Sequence, residues 1–310
     1  MLSRYLSDSL AQLHKNTLYN SLQEKWRHCI RRKRQAWWDS QVRKREYFEK
    51  TIQRGVRMRL YFDSELSRLI YMNDFERIER QFLNAFLRPG DVFIDVGASI
   101  GLFSLIAAHC VGESGYVYSL EPTEKIYQRL IKNVNLNHFD NVFCFRIALS
   151  DKVGVFPLFA SQDGFDAWNS LAQPIAGNSF SLESVETTTL DNFAQEHHLA
   201  GRVTMIKIDV EGWETRVLSH GSTTLARDDA PVLQVEFTDQ AARSADSSCK
   251  QLYHKLQDLG YMMFSYDAKS RTLVPDPLRE SYPYVNLIAA KQSQHTLTKL
   301  KEQSIRCLTR

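Results

Sequence analysis

The feature that most restricts this chain is an alternation of short apolar runs with helical stretches, sustained from about residue 57 almost to the end. Residues 55–62 alternate with a period of two, as a half-buried strand does. Residues 74–87 place Phe75, Ile78, Phe82, Ala85 and Phe86 on one helical face, and Arg88-Pro-Gly-Asp91 breaks that helix. An apolar strand at 91–96 and a helix opening at Gly97 to Gly101 follow. The pattern repeats with a strand at 116–121, a helix at 124–137 and a strand at 142–149. A less regular insertion occupies 151–189, with a strand-like run at 153–159 and a polar loop from Ser161. Helices at 190–197, from 214 and at 250–259 then alternate with strands at 203–209, 232–237 and 261–266, and two more strands close the series at 271–274 and 284–290. Mainly apolar strands joined by helices imply a parallel sheet covered on both faces. The fold class is therefore α/β, doubly wound, with ligands at the carboxyl ends of the strands. The last strands lack a helical crossover, so one of them is expected to run antiparallel.

Composition limits the remaining choices. Of the 310 residues 43% are apolar and 24% charged, which excludes a disordered chain. No run reaches the ~20 apolar residues of a membrane span, and Met1 to Asn20 carries no signal-peptide core. Five scattered cysteines without a CxxC pair argue for a reducing compartment, so a cytoplasmic location is expected. The net charge of +3 hides an asymmetry: residues 25–59 hold thirteen Lys/Arg against three acids, which leaves the rest of the chain at −7. Trp26, Trp37, Trp38, Tyr47 and Phe48 sit among these charges. Such a run can grip nucleic acid, but no nucleic-acid fold signature accompanies it. The preferred reading is a helical arm whose aromatics pack on the main domain, on a second subunit or on a partner protein. The expected division is a basic helical extension over 1–60, a main domain over 61–292 with its insertion near 151–189, and a polar tail over 293–310.

The first strand-to-helix turn, Asp95-Val-Gly-Ala-Ser-Ile-Gly101, says most about the ligand. Glycines let the backbone come close to a ligand, and the helix start offers free N–H groups. The G-x-x-x-G spacing matches neither a dinucleotide fingerprint nor a P-loop. Glu121 ends the second strand, where a carboxylate can accept both hydroxyls of a ribose. An acid at each of these strand ends suits a nucleoside with a cationic amino-acid arm, as in S-adenosylmethionine. The pyrophosphate of NAD would meet repulsion from Asp95.

These residues resemble the FkbM-type S-adenosylmethionine-dependent methyltransferases. The resemblance runs from Leu69 to Ala290 and is carried by residues 71–76, 87–101, Glu121-Pro122, 148–151, 189–191, 235–237 and above all Ile206-Lys-Ile-Asp-Val-Glu-Gly-Trp-Glu214. It implies a Rossmann-like class I methyltransferase fold, a seven-stranded sheet with its final strand antiparallel. It also implies methyl transfer, usually to a hydroxyl of a sugar, polyketide or other secondary metabolite, with some members acting on peptide nitrogen. Ser99 departs from the pattern, which has Asn there in most relatives. By the resemblance Asp95, Gly97, Ala98, Ser99 and Gly101 hold the methionine portion, Glu121 with Pro122 the ribose, and the backbone at Ala148 the adenine. Tyr71 and Glu76 are expected to fold over the cofactor.

An alcohol acceptor gains from a general base, and candidates must lie at strand carboxyl ends. Asp209 closes the fourth strand, Glu211 follows it, and Glu236 lies late in the fifth. These carboxylates can share a base role or hold a divalent cation, although no His/Cys ligand spacing appears and no metal is assigned. Lys207 shares a sheet face with Asp209 and can pair with it or bind the acceptor. The plain alternative makes Glu211 a helix cap and Lys207–Glu236 a structural pair. In the insertion, Phe165, Trp168, Asn169, Ser170 and Gln173 are candidates for an acceptor lid. The leading expectation is O-methylation of a small-molecule or carbohydrate hydroxyl. The alternatives are N-methylation of a peptide or RNA, and an inactive partner protein of the same fold.

Overall fold

The computed structural model describes residues 26, 28–161, 169–172, 180–291 and 298–300. Helix α1 (28–41) leads into the hairpin β1 (Tyr47–Gln53) and β2 (Val56–Tyr61). Then come α2 (Glu65–Met72), α3 (Arg77–Phe86), β3 (Val92–Val96), α4 (Leu102–Val111), β4 (Tyr116–Leu120), α5 (Glu124–Leu136) and β5 (Val142–Phe145). The insertion supplies β6 (Ala148–Leu149), β7 (Gly154–Ser161) and β8 (Phe180–Thr188). The second half contains α6 (Leu190–Glu196), β9 (Met205–Ile208), α7 (Glu214–Ser219), α8 (Ser222–Leu225), β10 (Val232–Phe237), α9 (Asp239–Ser244), α10 (Cys249–Asp258), β11 (Met262–Asp267), β12 (Thr272–Pro275) and β13 (Val285–Ala290).

The main sheet runs β12-β11-β13-β10-β9-β3-β4-β5. Strands β3, β4, β5, β9 and β10 are parallel, and β13 enters antiparallel between β10 and β11. Seven of these strands form the expected doubly wound sheet, and β12 adds an eighth at the edge through a hairpin with β11. From β3 the chain builds outward through β4 to β5 and then returns to the other side of β3 as β9 and β10, so the order reverses at β3 and a crevice opens at the carboxyl ends there. Apolar layers close both faces. One holds Phe82, Phe86, Phe103, Ile106 and Leu130, and the other Phe193, Val217, Leu252 and Leu256. The stripe read along α5 is buried as expected at Ile126, Leu130 and Val134.

Several local features differ from the sequence reading. The basic segment is helical only over 28–41 among the described residues, because from Tyr47 onward it forms the β1–β2 hairpin. The alternation in β2 wins there: Val56, Met58 and Leu60 are fully buried, while Gly55 turns the chain at φ +78°. Trp37 and Trp38 of the arm do pack on the main domain, whereas Trp26 is 67% exposed. Trp38 is 3% exposed and lies 4.7 Å from the Phe62 ring, and Trp37 lies 5.0 Å from Phe48 and 5.1 Å from Tyr71. The helix expected over 74–87 begins only at Arg77 and is preceded by α2, which ends with Asn73 in the left-handed conformation. Ile78 is consequently solvent-facing. In the insertion, β8 pairs along its length with β7, a strand hidden in the sequence because its alternation is mostly polar. Phe165, Trp168, Gln173 and nearly all of the 293–310 tail lie outside the described residues.

Candidate active site

A cavity of about 410 Å3 opens at the carboxyl ends of β3, β4, β9 and β10. Of the residues singled out in the sequence, Glu76, Asp95, Gly97, Ala98, Ser99, Glu121, Pro122, Ala148, Lys207, Asp209, Glu211 and Glu236 line it. Gly101 does not. It stands at the N-terminus of α4 at φ +94°, where a Cβ would meet Leu130 Cδ1 at 2.7 Å, so its role is to set the helix start. Tyr71 is also absent from the lining and packs against Trp37, Trp38 and Phe48, because that face of α2 is turned to the arm.

One end of the cavity is built largely from backbone. The N–H groups of Gly97 and Ala98 both donate to Leu120 O, tying the turn after β3 to β4. Gly97 sits at φ +81°, and a Cβ there would fall 1.9 Å from the carbonyl oxygen of Asp209, so no side chain fits. Ser99 adopts φ +48°, a left-handed conformation that Asn tolerates better than Ser. Glu121 Oε2 accepts from Ser99 N at 3.1 Å and Oε1 from Thr123 N at 2.9 Å, which fixes the carboxylate at the rim. Asp95 is 1% exposed. Its Oδ2 accepts from Ser104 Oγ at 2.5 Å, and its Oδ1 has no partner among the described residues. Burial pushes the Asp95 carboxyl up, and Lys207 only partly offsets this.

The other end is acidic. Lys207 is buried, and its Nζ lies 2.5 Å from Asp209 Oδ2 and 4.6 Å from the centre of the Phe103 ring. Burial opposes the lysine charge, but Asp209, Glu76 and Asp95 outweigh it and hold the ammonium above its usual range. Burial likewise opposes the Asp209 charge, yet Lys207 and a hydrogen bond from protonated Glu236 keep it below the ordinary aspartate value. Glu236 accepts from Thr238 Oγ1 at 2.8 Å, and when ionised its Oε2 has no donor. Burial, then neighbouring carboxylates, raise both Glu236 and Glu211 well above the glutamate range. Glu211 stands at φ +53°, with Gly212 beside it pressed against the Ala241 carbonyl.

The plain alternative for these residues is not what the geometry holds. Glu214, not Glu211, turns back to accept from Val210 N at 3.0 Å and Gly212 N at 3.2 Å, and Lys207 pairs with Asp209 rather than Glu236. Glu214 thus shapes the whole loop after β9. Its position within the Asp209-Val-Glu-Gly-Trp-Glu string was the available signal.

Glu76, at the N-cap of α3 with φ +40°, joins this acidic end. Its Oε1 accepts from Tyr284 OH at 2.7 Å and Asn286 Nδ2 at 3.1 Å, and its Oε2 has no partner among the described residues. Burial raises Glu76 to about 7, chiefly against the pull of Lys207. Tyr284 and Asn286 carried no sequence signal, since they lie more than 200 residues away. The insertion reaches the cavity through Asn169 and Ser170. Asn169 donates to Thr123 Oγ1 at 3.3 Å, and Ser170 Oγ donates to the Glu211 carbonyl at 2.8 Å.

Comparison with known proteins decides the family. The Methyltransferase FkbM domain matches residues 95–263, more than half of the chain. The chain belongs to the FkbM methyltransferase family. It is an S-adenosylmethionine-dependent methyltransferase. No curated protein sequence matches it. Among solved structures the chain is similar to methyltransferase FkbM from Methylobacillus flagellatus KT, with 14% identity over 72% of this chain and 54% of that one and a TM-score of 0.40. It is similar also to Aeropyrum pernix fibrillarin with natively bound S-adenosyl-L-methionine, at 17% identity over 69% and 74% of the two chains and a TM-score of 0.39. A third similarity is to a putative rRNA-methylase from Clostridium thermocellum, at 11% identity over 68% and 92% and a TM-score of 0.40.

The chain's own residues fit this cofactor. Asp95 Oδ1 is a buried acceptor without a donor, at the end of the cavity where the glycine turn allows close approach. The lining carries eight Asp/Glu side chains and, as its one Lys/Arg, Lys207, which suits a cationic ligand and disfavours a pyrophosphate. No helix among the described residues is long and apolar enough to cross a membrane.

Proposed function

We propose that this methyltransferase acts on a hydroxyl of a sugar, glycan or other hydroxylated small molecule. The observation that carries the reading is that one cavity runs from the glycine turn at β3 to the buried carboxylates after β9 and β10. Asp95 and the Gly97–Ser99 backbone hold the methionine portion, Glu121 with Pro122 the ribose, and Ala148 lies near the adenine. Bound there, S-adenosylmethionine would supply a methyl carbon activated for in-line displacement, its sulfonium sulfur leaving as a neutral thioether. The chain then has to orient the acceptor and receive one proton.

Orientation is the larger task, since well-aligned reactions gain effective molarities of ~10⁵–10⁸ M. The acceptor hydroxyl lies against Asp209, Glu211 and Glu236, which offer it acceptors, with Lys207 fixing Asp209. The proton passes to Glu76 Oε2. Its partner oxygen is clamped by Tyr284 and Asn286, and an affinity balanced near 7 suits a general base at neutral pH. Asn169 and Ser170 close the acceptor side.

The test is methyl-labelled S-adenosylmethionine offered with paired acceptors that carry a hydroxyl or an amine at the same carbon. Label in an ether supports this reading. Label on nitrogen overturns it in favour of N-methylation, and label in neither, across polyol and sugar series, removes this acceptor class.

A further inference from the structure

The acidic end of the cavity holds more acceptors than the chain can satisfy. One carboxylate oxygen from each of Asp209, Glu211 and Glu236 lies within 4.8 Å of the others. Oxygens bound at roughly 2.0–2.6 Å to a common ion stand at most about 5 Å apart, so the three need little movement to share one. A separate observation points the same way. Glu76 comes from a different part of the chain, is only 7% exposed and lines the same cavity, and its Oε2 has no donor. Asn286, which pairs with Glu236 in strand register and so shares its sheet face, leaves a buried Oδ1 equally unpaired. A buried acceptor without a donor costs about 1–3 kcal/mol. Orphans that are all oxygens ask for a cation or a donor, and Lys207, already committed to Asp209 Oδ2, cannot balance the surrounding carboxylates.

We propose that Asp209, Glu211 and Glu236 bind a hard divalent cation of the magnesium or manganese class, placed to hold the acceptor hydroxyl. An all-oxygen donor set selects these ions over zinc. Asp209 reaches the ion through the oxygen that Lys207 leaves, and the cavity side of the ion stays open for the acceptor. The placement of the acceptor rests on the O-methyltransferase reading, whereas the ion site stands on the residues alone.

The experiment is a titration of the metal-stripped full chain with Mn2+, counted by the paramagnetic resonance of the free ion, and with Mg2+ by calorimetry. S-adenosylhomocysteine binding is measured in parallel as the control for folding. The expected result is one ion per chain, bound at least ~10-fold more weakly by Glu211→Gln and by Glu236→Gln, with S-adenosylhomocysteine affinity retained. The proposal is overturned if a chain that binds S-adenosylhomocysteine takes up neither ion at millimolar concentration, or if uptake ignores both substitutions. Should Glu236→Gln fail to fold, Glu211→Gln at its less buried position decides alone. Undiminished ether formation in excess EDTA overturns the ion's role and leaves the acceptor reading standing. Ion uptake accompanied by label on nitrogen overturns the acceptor reading and leaves the ion site standing.

Discussion

The two ends of the cavity are built on opposite principles. At the β3–β4 end the backbone satisfies itself: Gly97 N and Ala98 N are spent on Leu120 O, and Glu121 already accepts from two backbone donors, which leaves Asp95 Oδ1 and Ser99 Oγ as its unpartnered buried atoms among the described residues. At the β9–β10 end, side chains from α3, β9, β10 and the stretch leading into β13 converge with their demands unmet, and both Glu76 and Glu211 are held at positive φ. The first end is a rigid cradle whose shape precedes its ligand. The second stores more of the unpaired acceptors, on Glu76, Glu236 and Asn286, and two left-handed residues to the first end's Ser99, each such residue at a cost of about 1 kcal/mol or more. On the proposed reading, affinity for the cofactor rests on backbone geometry, and turnover on the buried carboxylates.

The sharpest way to break this contrast is Gly97→Ala. Its Cβ would lie 1.9 Å from a backbone oxygen at φ +81°, so we expect a loss of about 3 kcal/mol or more of stability and of measurable S-adenosylhomocysteine binding. An unchanged melting temperature would show that the cradle is not rigid. Glu76→Gln keeps an oxygen for Tyr284 and Asn286 but cannot accept the proton, so turnover should fall ~10²–10⁴-fold with S-adenosylhomocysteine affinity intact. Glu76 acts only when ionised. With Lys207, Asp209, Glu79 and Tyr284 around it, wild-type turnover should rise as pH climbs through about 7, and the variant should lose that rise. A variant with the same pH profile would remove Glu76 from the chemistry. Glu121→Ala should weaken S-adenosylhomocysteine by ~10–100-fold in calorimetry while leaving the pH profile alone. The smallest effect is expected for Ser99→Asn, which relaxes a left-handed residue: a gain of up to ~1 kcal/mol in chemical denaturation with activity retained. A loss of stability there would mean that Ser99 Oγ, buried without a partner, is structurally committed.

The cradle could be read from sequence because its parts are contiguous or sit at regular strand ends. Asp95, Gly97 and Glu121 fall where the alternation places the carboxyl ends of two adjacent strands. The same apolar periodicity pointed to a doubly wound, mainly parallel sheet, while its seven strands with the last antiparallel were implied by the family resemblance. The acidic end was half legible: Lys207, Asp209 and Glu211 share one string, but nothing local ties Glu76 to Tyr284 and Asn286 across the whole domain. Strand β8 was missed because Ser181, Glu183 and Glu186 give it a loop's composition, and only its pairing with β7 makes it a strand. The β1–β2 hairpin was missed at its first strand because Tyr47–Gln53 alternates only between exposed and half-buried positions, whereas β2 buries Val56, Met58 and Leu60 outright.

The contact between Gly97 and the Asp209 carbonyl has one more consequence, for how such an enzyme can diversify. Cofactor turn and acceptor loop share a boundary with no room for an added atom, so neither backbone can be redrawn without disturbing the other. New substrates must be accommodated elsewhere, by exchanging side chains at 209–214 or by remodelling the elements that only border the cavity. The insertion, which borders it through Leu158 of β7 and through Asn169, Ser170 and Leu171 between β7 and β8, is the part free to vary.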